Sequence, residues 1–143
     1  TTWNVLPGHV WMEGTIRLFD ADDRTFVKER IEQLAEGVAV AFGGRAEVLW
    51  TAGPPAVVNT KRWSILAEEI ARAEGFEVVD AAPWMAGEDF AYYQEAMETC
   101  FVFIGTGLST ENHHPKFTVD PAAIPQTACY LAHMAEEALR RLC

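Results

Sequence analysis

Gly53-Pro54-Pro55 divides this chain more sharply than any other feature. Proline has no N–H to give a sheet ladder and holds its own φ fixed, so a proline pair after glycine ends whatever precedes it. The pattern differs on the two sides. Before the break, Val10, Met12, Ile16 and Leu18 alternate with Trp11, Glu13, Thr15, Arg17 and Phe19, which is the period of a half-buried strand. Val27, Ile31, Leu34, Val38 and Ala41 then recur at helical spacing between Asp20, a capping residue, and Gly43-Gly44, a stop. Arg45 to Thr51 reads as a second strand. After the break, helices are expected over Thr60–Glu74, Glu88–Met97 and Asp120–Leu142, with Trp63, Leu66, Ile70 and Ala73 forming the stripe of the first. Between them lie the short run Phe76–Val79 and the uninterrupted apolar run Cys100–Ile104, the latter of the kind that parallel sheets bury. The expected fold class is α/β, as an α+β remnant over residues 1–52 and an α/β remnant over 53–143, with the boundary between Gly53 and Asn59.

Composition excludes more than it assigns. The 143 residues carry a formal net charge of −10, a balance that repels phosphate backbones and argues against a nucleic-acid partner. No apolar run is long enough to cross a bilayer. Thr1-Thr2-Trp3-Asn4-Val5-Leu6 reads as the middle of a strand rather than a leader, so more chain is expected upstream. Cys100, Cys129 and Cys143 lack metal-type spacing; buried free thiols in a reducing compartment, the cytoplasm, are expected for Cys100 and Cys129.

The residues able to carry chemistry fall in a few short motifs. Pro115 disfavours the helical region for His114. In extended chain, adjacent side chains point to opposite sides, so His113 and His114 are not both expected on one ion. One can serve as a ligand while the other bonds behind it, and two surface histidines remain the alternative. Glu88 and Asp89 suit the N–H groups of the helix they open, a role sufficient to explain them, although a cleft-lining role is open too. Gly105-Thr106-Gly107 follows the buried run, where open α/β sheets place ligands and where glycine lets backbone N–H groups approach an anion; a tight turn accounts for it equally. Asn4 and Arg17 would stand roughly 40 Å apart on an unbroken strand. Pro7-Gly8 can fold the chain back and let an amide and a guanidinium converge, the guanidinium being suited to a carboxylate. A solvated arginine is the competing account. His9 and His133 are read as structural.

Taken in order, Trp3-Asn4-Val5-Leu6-Pro7, Glu13-Gly14-Thr15-Ile16-Arg17, Pro54-Pro55 with Val58-Asn59, Met85-Ala86-Gly87-Glu88-Asp89-Phe90-Ala91-Tyr92-Tyr93, Phe103-Ile104-Gly105-Thr106-Gly107 and His113-His114-Pro115-Lys116-Phe117 resemble the M20 metallopeptidase/amidohydrolase family. The match is closest to its hippurate-hydrolase and N-acyl-amino-acid amidohydrolase branch. Ala86 departs from the glycine frequent there. The resemblance implies a two-domain parent with two divalent metals, Mn or Zn, and a smaller lid used for homodimerisation. Residues 1–52 then resemble the second half of the lid, and 53–143 the last part of the metal domain. By the same resemblance His113 matches the last metal ligand. Asn4 and Arg17 match lid residues that reach substrate, Arg17 on its carboxylate. Gly105, Thr106 and Gly107 belong to the substrate rim. The other ligands and the general-base glutamate are implied upstream, so no catalytic residue is assigned within the chain. The implied substrate is an N-acyl amino acid or small peptide, and the isolated chain is expected to be inactive. A non-catalytic dimerisation or interaction module is the alternative.

Overall fold

The computed structural model describes residues 3–107 and 110–143. Its regular elements are α1 (Ala21–Ala41), α2 (Lys61–Ala73), a 3₁₀ helix over Asp89–Glu95, and α3 (Ala123–Leu142). Two compact units are formed: Thr1–Gly53 with Met85–Gly87, and Pro54–Trp84 with Glu88–Cys143.

The α/β expectation is not met among the described residues, where no strand forms. Alternation decides which side of a ribbon a side chain occupies; a ladder also needs a second ribbon. No backbone–backbone hydrogen bond joins residues 9–19 or 45–51 to another described segment. At Cys100–Ile104 the competitor is identifiable. The Asn59 side-chain amide donates to the Phe101 carbonyl and accepts the Phe101 N–H, both at 2.8 Å, so it takes the two groups a neighbouring strand would have used. The pairing continues on either side. Gln94 Oε1 accepts the Val58 N–H at 2.9 Å, and the Thr60 N–H reaches the Thr99 carbonyl at 2.9 Å.

In the first unit, Asp20 caps α1 by accepting the N–H groups of Asp22 (2.7 Å) and Asp23 (3.3 Å). Gly43, at φ 74°, ends it. The apolar stripe of α1 is covered only in part. Val27 and Ile31 are half-buried, whereas Leu34 and Val38 are 50% and 59% exposed and Ala41 is exposed.

The second unit has a core. Trp63, Leu66, Ala67 and Ile70 lie at helical spacing and are all buried, with Ala67 rather than the expected Ala73 completing the stripe. Tyr130 of α3 packs on them, flanked by Met134 and Ala138, and Phe76, Cys100 and Ile104 fill in. The end of α2 is a Schellman motif. Gly75 sits at φ 82°, the Phe76 N–H returns to the Ala71 carbonyl at 2.9 Å and the Gly75 N–H to Arg72 at 3.1 Å. That turn drops Phe76 against Tyr130, edge to face with ring centroids 5.7 Å apart. Polar pairs tie α2 to α3 around this core: His133 Nδ1 with Glu74 Oε1 at 2.5 Å, Gln126 Nε2 with the Glu74 carbonyl at 2.9 Å, and Arg141 with Glu69 at 3.0 Å. Burial pushes the Cys100 thiol up, partly offset by a hydrogen bond from Ser64, so this cysteine packs as an apolar group. Cys129, expected to be buried, is exposed. Its position on α3 one residue before Tyr130 turns it away from the face that Tyr130 buries.

Thr99 is buried, and its hydroxyl finds no described partner. Thr99→Val keeps the shape and removes the orphaned polar group. It should be neutral or should raise the stability of this unit by about 1 kcal/mol, read as the midpoint of urea unfolding.

The whole chain exposes 12203 Å². Two separate compact bodies of these sizes would expose about 9,000 Å². The excess includes large apolar side chains, such as Val10 at 66%, Leu49 at 70% and Phe103 at 63%.

Candidate functional site

The described residues between Gly105 and Asp120 form no helix or strand, and the two ends of the stretch are pinned together. The Asp120 N–H donates to the Thr106 carbonyl at 3.0 Å. Gly107 stands beside it at φ 97°, and a Cβ placed there would lie 3.4 Å from the Asp120 Cβ. The left-handed backbone favours glycine, while a Cβ would only touch Asp120. Asp120 also starts α3: its Oδ1 accepts the Ala122 N–H at 2.9 Å and its carbonyl accepts the Ala123 N–H at 3.0 Å. The glycine turn and the helix entry therefore share one clasp, and the histidine pair sits within the loop it closes.

That pair is not in extended chain. Two turns share His114 as their corner. The His114 N–H closes the first on the Glu111 carbonyl at 3.1 Å, and the Phe117 N–H closes the second on the His114 carbonyl at 2.9 Å, with Pro115 behind the corner as such turns favour. The first turn puts its third residue, His113, at φ 69°, which no other non-glycine among the described residues adopts. Strict alternation of the two imidazoles was the wrong geometry, because tight turns replace the extended ribbon. A division between them still results. His114 Nδ1 accepts the Lys116 N–H at 3.1 Å, so this ring is tied into its own loop. The His113 ring is exposed and bonds to no described residue.

Among the described residues no three His, Cys, Asp or Glu side chains converge as a metal cage. The loop offers one imidazole, whereas a zinc-type site draws on three or four protein ligands. Asn4 and Arg17 fall in the first unit, both exposed. No hydrogen bond or ion pair joins the two, and Arg17 Nη1 stands 3.6 Å from where a Cβ on Gly87 would be. Gly105, Thr106, Gly107 and His113 fall in the second unit. Glu88 takes the capping role foreseen for it, its carboxylate accepting the Phe90 N–H at 3.1 Å, although the helix it opens is 3₁₀. A groove of about 320 Å³ on α2 and α3, lined by Glu74, His133, Glu136 and Arg140 among others, contains none of the sequence candidates. Sequence reading passed over Asn59 as a functional position. An asparagine directly before a helix start reads as a capping residue. Its side chain instead orders Phe101, at the head of the run that leads to Gly105.

The profile of peptidase family M20/M25/M40 matches residues 7–137. N-acetyl-L-cysteine deacetylase of Bacillus subtilis is 40% identical over 139 residues, which is 97% of this chain and 33% of that enzyme. A second N-acetylcysteine deacetylase of the same organism is 40% identical over 94% of this chain and 36% of its own length. Among solved structures, the Bacillus subtilis YXEP protein, described as a dinuclear metal binding peptidase from the M20 family, superimposes with a TM-score of 0.87 at 39% identity. That match covers 98% of this chain and 39% of the other. The chain spans about a third of the length of the curated relatives it matches. On the profile match and these identities, the chain belongs to peptidase family M20/M25/M40.

Proposed function

We propose that this chain is the portion of a metal-dependent amidohydrolase of N-acyl amino acids or small peptides that carries the last metal ligand, His113, together with the substrate contacts Asn4, Arg17 and Gly105–Gly107. The observation that carries this reading is the loop itself. One histidine of an adjacent pair accepts the Lys116 N–H of its own loop, and the other is presented on a left-handed turn with its ring engaging no described residue. Residues held in sparsely populated backbone regions concentrate where a ligand must be met.

In this reading residues 1–52 form half of a lid that also dimerises, and 53–143 the last part of an α/β metal domain. The strands would pair with chain from the relatives' remaining two thirds. A single donor cannot hold a metal pair, so His113 would complete a site whose other ligands come from elsewhere. Bound divalent ions, Mn or Zn, would polarise the amide carbonyl and activate a water. This chain's own part is to bind and orient. Arg17 would fork onto the substrate carboxylate, which an ammonium could not grip bidentately. Asn4 would meet the substrate from the lid, and Gly105–Gly107 would line the rim with close backbone approach. The names of the relatives, both N-acetylcysteine deacetylases, favour a small N-acyl amino acid.

The test replaces the matching segment of the Bacillus subtilis N-acetyl-L-cysteine deacetylase with this chain. The chimera should bind Mn²⁺ or Zn²⁺ and release acetate from N-acetylcysteine, while the 143-residue chain alone should do neither at comparable concentration. Turnover by the chain alone contradicts the assignment of the missing groups. A folded, metal-loaded chimera without activity contradicts the assignment of the substrate contacts.

The excess exposed surface supports a second reading, a non-catalytic module that pairs with itself or with another chain. A stable metal-free dimer of the isolated chain, seen by light scattering together with an inactive chimera, would select it.

A further inference from the structure

We propose that His114 is a positioning residue whose imidazole does the work of an Asx turn, bracing the left-handed conformation of His113 and withholding itself from the metal. The inference rests on the reading of His113 as a ligand and adds a role for its neighbour.

The first support is the pattern of bonds. Position one of the turn His114–Phe117 is where Asp, Asn and Ser concentrate, because their side-chain oxygens accept the N–H two residues on. His114 Nδ1 makes that bond, to Lys116 N–H at 3.1 Å, across a turn already closed by Phe117 N–H on the His114 carbonyl at 2.9 Å. The same residue donates its own N–H to Glu111 and so closes the preceding turn, the one that puts His113 at φ 69°. A left-handed residue other than glycine is costly, and neighbouring structure must hold it there. His114 thus belongs to both turns: its main-chain N–H closes the first, and its ring fastens the second, which fixes the direction in which that N–H points.

The second support is the imidazole's proton count. A neutral ring carries one N–H. With Nδ1 accepting from Lys116, that proton is on Nε2. To ligate through Nε2, the ring would have to shift its proton to Nδ1, setting an N–H against the Lys116 N–H and losing that bond. Ligation through Nδ1 would displace the Lys116 bond directly. Either route gives up the bond to Lys116, whereas the His113 ring meets no described group and gives up nothing of this kind. The brace therefore also selects which of two adjacent histidines meets a metal.

The experiment uses the full 143-residue chain, isotopically labelled. In the parent chain, ring ¹⁵N shifts should identify His114 as the Nε2–H tautomer. The Lys116 amide should exchange slowly, and His113 should give the strong intraresidue N–H to Hα contact of a positive φ. His114→Ala should speed Lys116 exchange about tenfold and weaken that contact. His114→Asn, whose Oδ1 can take the same N–H, should restore both. In the chimera described above, where the remaining ligands are supplied, added Zn²⁺ should shift the His113 ring and leave the His114 ring in place, and the response should vanish in His113→Ala. The inference is overturned if His114→Asn behaves like His114→Ala, if Lys116 exchange is unchanged in both, or if Zn²⁺ shifts His114 as strongly as His113. A Zn²⁺ response at neither ring counts against the ligand assignment under the proposed function, while the exchange and tautomer results still decide the brace.

Discussion

Leu66→Ala should cost the second unit 2–5 kcal/mol, the range for truncating a buried leucine whose surroundings only partly collapse. Leu66 is 1% exposed and sits at the centre of the cluster formed with Trp63, Ile70 and Tyr130. Few other described residues are buried, so little can compensate for the loss. Domains as small as this unit are stabilised by only several kcal/mol in all. A loss in the upper part of the range leaves the unit unfolded in water at 25 °C. The control is Leu34→Ala on α1, where the leucine is 50% exposed and the helix has no buried residue. That change should stay within about 0.5 kcal/mol. Urea unfolding followed by tryptophan fluorescence measures both, with Trp63 in the core reporting on the second unit and half-buried Trp50 on the first. Equal effects at the two positions would mean that α2 and α3 do not form the stabilising core.

The contrast between these leucines marks where sequence reading succeeds. Helix termini depend on groups within a few residues of one another, so Asp20 and Gly43 could be placed from local chemistry, and the structure puts each at a helix end. The stripe of α2 was legible for the same reason, apart from the exchange of Ala73 for Ala67. The stripe of α1 has the same spacing but lacks a covering partner, and periodicity carries no information about what covers a face. Strands fail more completely, because a ladder is a property of two segments. At Phe101 the side chain of Asn59, distant in sequence, takes the backbone groups that the apolar run seemed to offer to a neighbour. The histidine pair was legible as a place of chemistry but not as a shape. Pro115 was read as forcing extension, although two linked turns also accommodate it. The bond from Lys116 to His114 depends on a ring nitrogen acting as an oxygen would, which no propensity records.

His113→Ala carries the largest expected change in activity. In the chimera described above it should lower kcat/KM for N-acetylcysteine by more than 100-fold, since outer partners of metal ligands already cost 10–100-fold when removed and a direct ligand must cost more. The loss should fall mainly on kcat and be accompanied by lower metal content after dialysis, because the donor acts on the ion and not on the substrate. Arg17→Lys offers the opposing signature. It keeps the charge but loses the fork, so it should raise KM for a carboxylate-bearing substrate while leaving metal content unchanged. These two patterns separate a ligand from a substrate contact even though both lower kcat/KM. His113→Ala with full metal content and unaltered kcat would remove His113 from the metal site. The left-handed φ of 69° would then belong to a structural turn. A positive φ at this residue is useful only if the ring it aims meets something the chain does not itself supply.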